Sequence, residues 1–214
     1  LIFLIKRKEE TKVGIYEKII TVILGYLLLP FFLSIPYYFS IYNITFTSAY
    51  FEAVSGFTST GFSIFDNIKH LDESLILWRS STQWIGGLYF LFSVILLIDI
   101  FDVNIKKSLT NFLSFNTSEI LKQSTKILIL YTTLTFGIFL ILNISNIRSF
   151  NSFNLAMTII SSGGFLPTNN LDNLLNTKTK EIVLSFMMLV SFFSLFLSYN
   201  LFTMKNKNFS FFQE

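Results

Sequence analysis

The chain has 214 residues, of which 52% are hydrophobic and 14% charged, and its net charge is +3. A soluble domain carries about 25% charged residues, and a fold of this length has too little interior to hide so much apolar side chain, so lipid must be part of its solvent. The lack of cysteine excludes disulfides and thiolate metal sites, and the single histidine, His70, argues against a histidine-cluster metal centre or a Ser-His-Asp triad.

In chain order, the opening LIFLI followed by Lys6, Arg7 and Lys8 reads as the tail of a helix that began upstream, and no signal-peptide pattern is visible. Residues 1–15 are therefore expected to be the end of a preceding helix and a cytoplasmic linker. Four spans of the roughly 20 apolar residues that a bilayer requires follow, at about 16–40, 74–100, 121–144 and 181–204. Pro30 and Pro36 fall in the first, which a membrane helix tolerates where neighbours satisfy the freed carbonyls. Between the paired spans lie two helix-like segments too short to cross, 48–57 and 152–160, each ending in a run of Ser, Thr and Gly. A short helix followed by irregular polar backbone at membrane depth must be buried in protein or line a water-filled cavity, which is the pattern of a re-entrant pore loop. The predicted fold class is an all-α membrane protein with two parallel helix–pore loop–helix repeats, 16–100 and 121–204. A cytoplasmic linker at 101–120 joins them, and a cytoplasmic tail at 205–214 follows.

The charges orient these elements. Lys6, Arg7, Lys8, Lys12 and Lys18 precede the first span; Lys106, Lys107, Lys122 and Lys126 lie between the second and third; Lys205 and Lys207 follow the fourth. The positive-inside rule puts both ends and the central linker in the cytoplasm, so the short helices enter from outside. Placing Gly61 on Gly164, an offset of 103 residues (164 − 61), sets Ala53 on Ala156, Phe62 on Phe165, Ser55 on Thr158, Thr58 on Ser161 and Ser59 on Ser162. Local identity is low, but span, loop and span coincide over the whole length. Each unit crosses an even number of times, so the repeats are related by an axis along the membrane normal.

The two loops, FEAVSGFTSTGFSIF (51–65) and NLAMTIISSGGFLP (154–167), are the candidate functional segments. A cation filter replaces the ion's water with backbone carbonyls, and glycine reaches the positive φ such a turn needs. Gly61 and Gly164 fit that role. Thr58, Ser59 and Thr60, with Ser161, Ser162 and Gly163, are expected to supply carbonyls to potassium, and each short helix points its negative C-terminal end at the ion. Arg79 and Gln83 lie one turn apart on the second span, where a charge is expensive and faces protein or a cavity. Two readings of Arg79 stand side by side: it bonds carbonyls behind the first loop, or it anchors at the interface beside Trp78. Glu52 is expected to serve the helix dipole, and His70 and the acidic Asp66, Asp72 and Glu73 to be solvated loop residues.

FEAVSGFTSTGF, the LWRSSTQWIGG stretch from Leu77 to Gly87, and AMTIISSGGF resemble the first pore loop, the helix after it and the second pore loop of the Trk/Ktr/HKT cation transporters. The resemblance implies four covalently linked repeats with one filter glycine each, so this chain is expected to be the N-terminal half of a potassium-uptake pore. It implies filter glycines at Gly61 and Gly164 and residence in the cell membrane; on the first reading of Arg79, Arg79 and Gln83 are expected to support the filter. It also implies no cofactor besides the potassium carried, a cytosolic nucleotide-binding regulatory subunit of the TrkA/KtrA kind, and a homodimer of the full transporter. Serine in place of the first glycine is associated with sodium-selective relatives, so Gly61 favours potassium. Other readings are a non-conducting membrane subunit and a two-pore-loop cation channel, although neither loop carries TVGYG. An intramembrane enzyme is not expected, because the only close carboxylates near a span end are Asp99 and Asp102.

Overall fold

The computed structural model describes residues 14–97 and 120–203. The helices in order are α1 (Ile15–Ser40), α2 (Phe46–Phe57), α3 (Glu73–Leu97), α4 (Ile120–Ile144), α5 (Ser149–Ile160) and α6 (Lys178–Thr203), with single 3₁₀ turns at Ile68–His70 and Leu171–Asn173. No strand occurs among the described residues. The basic residues Lys6, Arg7, Lys8, Lys12, Lys106, Lys107, Lys205 and Lys207, the carboxylates Asp99 and Asp102, and nearly all of the predicted linker and terminal segments lie outside the described residues.

The 103-residue offset holds for the backbone as well as the sequence. It carries α2 onto α5 and the first 3₁₀ turn onto the second, residue for residue. It also carries each described residue of positive φ in the first unit onto one in the second: Asn43 (61°) onto Asn146 (62°), Ser59 (55°) onto Ser162 (55°), and Gly61 (80°) onto Gly164 (83°). The Asn pair ends α1 and α4, and Asn adopts the left-handed region more readily than other residues that carry a Cβ.

The four long helices have 25 or 26 residues, about 38 Å at 1.5 Å per residue against a hydrocarbon core of roughly 30 Å. Among the described residues, two stretches are long and apolar enough to cross by composition alone: Ile15–Ser40, and Ser124–Ile144 within α4. Both turn large apolar side chains outward, among them Ile23, Leu27, Phe31, Ile129, Phe136 and Ile141. In α3 the polar residues Arg79, Ser80, Thr82 and Gln83 are buried. It packs against α1, α2, α4 and α5, so its polar flank meets the two loops and needs no apolar character.

The prolines of α1 keep their helix because neighbours serve the carbonyls in the loosened turns. Tyr50 Oη donates to the Leu27 carbonyl (3.1 Å), three residues before Pro30. Trp78 Nε1 donates to the Leu33 carbonyl (3.0 Å), three before Pro36. Trp78 is thus tied to a neighbouring helix. Six residues further on, Trp84 Nε1 donates to Thr135 Oγ1 (2.9 Å), and Tyr131 Oη donates to the Trp84 carbonyl (3.2 Å), which fastens α3 to α4. An exposed ion pair, Arg148–Glu73 (2.8 Å), joins the start of α5 to the start of α3; a pair this solvated contributes about 0–1 kcal/mol.

Close approach of α3 to the first short helix depends on Gly86. A Cβ there would run into the Phe57 carbonyl, whereas a Cβ on Gly137 of α4 would meet open space. Gly86→Ala is therefore expected to destabilise the fold by about 1–3 kcal/mol, and Gly137→Ala to leave it unchanged or slightly firmer. Thermal denaturation of the detergent-solubilised protein checks this; equal melting temperatures for the two variants would contradict the packing argument.

Candidate functional site

Each short helix runs into its loop by the same hydrogen-bond scheme. In the first, Thr45 caps α2 by accepting the Ser48 N–H (3.2 Å). Past Phe57, the N–H of Thr58 donates to Val54, that of Ser59 to Gly56, and those of Thr60 and Gly61 to Ser55, at 2.9 to 3.4 Å. In the second, Ser161, Ser162 and Gly163 donate to Met157, Ile159 and Thr158 (2.9 to 3.4 Å). The loop N–H groups thus turn back into the carbonyls at the helix C-terminus. In a trans peptide the C=O of one residue opposes the N–H of the next. The carbonyls of Thr58, Ser59, Thr60, Ser161 and Ser162 therefore point away from their helix, on one side.

The dihedral angles explain how this is possible. Thr58 (φ −85°) and Ser161 (φ −88°) are followed by Ser59 and Ser162 at +55°. Thr60 and Gly163 are not among the positive-φ residues, and Gly61 and Gly164 return to +80° and +83°. Alternation of sign keeps successive carbonyls on one side instead of winding them into a helix. A serine in the left-handed region costs on the order of 1–3 kcal/mol, so both loops hold strain at corresponding places. The side chains reinforce the shape: Thr58 Oγ1 lies 2.7 Å from Thr60 Oγ1, and Ser55 Oγ donates to the Phe62 carbonyl (2.5 Å). Thr58, Thr60, Ser162 and Gly164 are exposed, and the two loops touch, since a Cβ on Gly61 would sit 2.5 Å from the Gly163 oxygen.

Arg79 takes neither predicted role as stated. It is 1% exposed, which removes the interfacial anchor. It also bonds no loop carbonyl: Nε donates to Glu52 Oε1 (2.9 Å) and Nη2 to Ser63 Oγ (2.9 Å). Its guanidinium lies 4.3 Å from the centre of the Phe165 ring, on the second loop. A buried cation needs an anion, and Glu52 supplies it. Glu52 is fully buried in the middle of α2 and accepts from Ser63 Oγ (3.1 Å) and the Ile64 N–H (3.0 Å). The dipole reading of Glu52 is corrected accordingly. The carboxylate joins the first short helix, the segment after the first loop, and α3. Sequence spacing did not reveal this, although a charge inside an apolar span was a signal that Arg79 needs a partner.

Gln83 hydrogen-bonds a loop, that of the second repeat. Nε2 donates to the Gly163 carbonyl (2.6 Å) and Oε1 accepts the Phe165 N–H (3.2 Å). Gly163 was expected to offer its carbonyl to an ion; that oxygen is already committed to Gln83. Because the Phe165 N–H points at Gln83, the Gly164 carbonyl points away from it. His70, Asp66 and Asp72 are exposed, as is Glu73, the partner of Arg148. Among the described residues no group of His, Cys, Asp or Glu is placed to hold a metal ion.

Two adjacent loops that start at the ends of half-length helices, with N–H groups turned inward and carbonyls turned out, define a helical membrane protein of the pore-loop class. Comparison with known proteins agrees with that class. The chain is 30% identical to a protein of Methanocaldococcus jannaschii described as an uncharacterized cation transporter, over 96% of this chain and 44% of the relative. It is 23% identical to the Trk system potassium uptake protein TrkH of Escherichia coli K12, over 86% of this chain and 40% of the relative. The crystal structure of the potassium transporter TrkH from Vibrio parahaemolyticus superimposes with a TM-score of 0.67 at 21% identity, covering 89% of this chain and 40% of that one. No family model matches. The chain is a relative of the Trk-type membrane transport proteins and spans less than half of their length; these relatives are transporters, not enzymes.

Proposed function

We propose that this chain supplies two of the four filter loops of a pore that carries potassium across the cell membrane. The carrying observation is the same backbone device at both loops: alternating φ, N–H groups bonded to the short helix, and carbonyls on the opposite side. A monovalent cation that has shed its water needs such carbonyls. The ion-facing set is Thr58, Ser59, Thr60, Ser161, Ser162 and Gly164, with Gly61 permitting the first turn. Arg79 and Glu52 hold the first loop, and Gln83 the second. Two loops enclose only part of an axis, and the relatives are more than twice as long as this chain, which supports two further loops. The basic residues Lys18 and Lys126 favour a cytoplasmic position for the inner ends of α1 and α4. That side is where a nucleotide-binding regulatory subunit would dock, and a homodimer of the full transporter belongs to the same reading.

The full-length protein reconstituted in proteoliposomes is expected to take up rubidium tracer against a potassium-filled lumen, with external potassium competing better than sodium. Correctly inserted protein without cation uptake would favour a non-conducting subunit.

A further inference from the structure

The Gln83 carboxamide bonds the carbonyl of residue 163 and the N–H of residue 165, so it brackets Gly164, the residue at φ +83°. A planar amide gripping both sides of one residue fixes that residue's backbone as a neighbouring strand would. Gln83 is fully buried and comes from the other repeat, so the second loop is set by the helix of the first. From this geometry we infer that Gln83 is a specificity-determining positioning residue: by holding the Gly163 oxygen it removes one carbonyl from the ion's surroundings and leaves an asymmetric filter. The inference rests on the pore reading above.

Three observations favour it. Gly163 is glycine although its φ is not positive; a Cβ there would collide with the end of the Gln83 side chain. The first loop carries Thr60 at the corresponding place. The clamp also does not repeat: the offset of 103 carries Gln83 onto Phe186, which has no amide and is mostly exposed. A carbonyl that already accepts a 2.6 Å bond from a buried amide sits beside that donor's positive hydrogens, which repel a cation. The filter level at 163 therefore offers fewer oxygens than fourfold repetition would give, and selectivity depends on their number and field.

The test is a double-mutant cycle in the full-length protein: Gln83→Met, Gly163→Ala, and both together. Uptake of rubidium with potassium or sodium as competitor is read at equal membrane insertion. Each single change is expected to shift the potassium-to-sodium preference about tenfold, the effect of one buried hydrogen bond, and the double change to add nothing. Unchanged preference in both single variants, or additive shifts, overturns the inference. If Gln83→Met fails to insert, Gly163→Ala decides alone, because alanine is allowed at that φ and its Cβ displaces the amide. No uptake by the unaltered protein sinks the pore reading itself, independently of Gln83.

Discussion

Gly61→Ser is expected to lower potassium preference over sodium tenfold or more in the full-length protein, with membrane insertion preserved. Residue 61 stands at φ +80°, where a residue with a Cβ pays about 1–2 kcal/mol. The same Cβ would lie 2.5 Å from the Gly163 oxygen, on backbone that has little room to move because Gln83 holds it. Two responses are open. The turn flattens and the Thr60 carbonyl rotates out of line, or the second loop moves off and breaks the Gln83 clamp. Either one alters the cage around the ion, and each 1.36 kcal/mol is a factor of ten. Competition of potassium and sodium against rubidium uptake measures the ratio; an unaltered ratio would remove Gly61 from the filter. Gly137→Ala, in open space, is the control.

Breaking the buried ion pair is expected to have the largest effect on stability. Glu52→Gln leaves Arg79 charged and uncompensated, and Arg79→Met does the same to Glu52; removal of one partner of a buried pair costs about 3–5 kcal/mol. Changing both, to Glu52→Leu with Arg79→Met, is expected to restore most of the loss, because packed apolar groups replace a buried pair at little or no net cost. The second repeat already follows that solution, with buried Leu155 at the place of Glu52. Thermal denaturation in detergent ranks the three variants; a double variant no more stable than either single one would show that the network does more than neutralise charge. Arg79→Gln separates the remaining possibility, since Arg79 reaches Phe165 on the second loop: altered ion preference without lost insertion would make the pair a shaper of the filter as well as its support.

Much of the fold was legible in the sequence because membrane helices announce themselves by composition. Apolar length gave α1 and α4 to within a residue or so, and the Ser/Thr/Gly runs marked where α2 and α5 end. The offset of 103 was readable from Gly61 and Gly164, and Asn43 and Asn146 would have strengthened it, since Asn also accepts positive φ. Composition could not show that the polar stretch of α3 is the packing surface of two loops, because a sum over residues cannot say which face looks at lipid.

The site divided along the same line. Local sequence determined which residues can turn the backbone, because the need for positive φ at Gly61 and Gly164 and the capping by Thr45 are properties of one or a few neighbouring residues. Only the tertiary structure decided where the polar side chains of α3 go. Arg79 finds Glu52, 27 positions away in the chain, and Gln83 finds the other repeat's loop, 80 positions away. The physical reason is burial: inside a protein set in lipid an unpaired charge or amide is costly, so these groups take whichever partner the packing brings within reach, and sequence spacing carries no record of that distance.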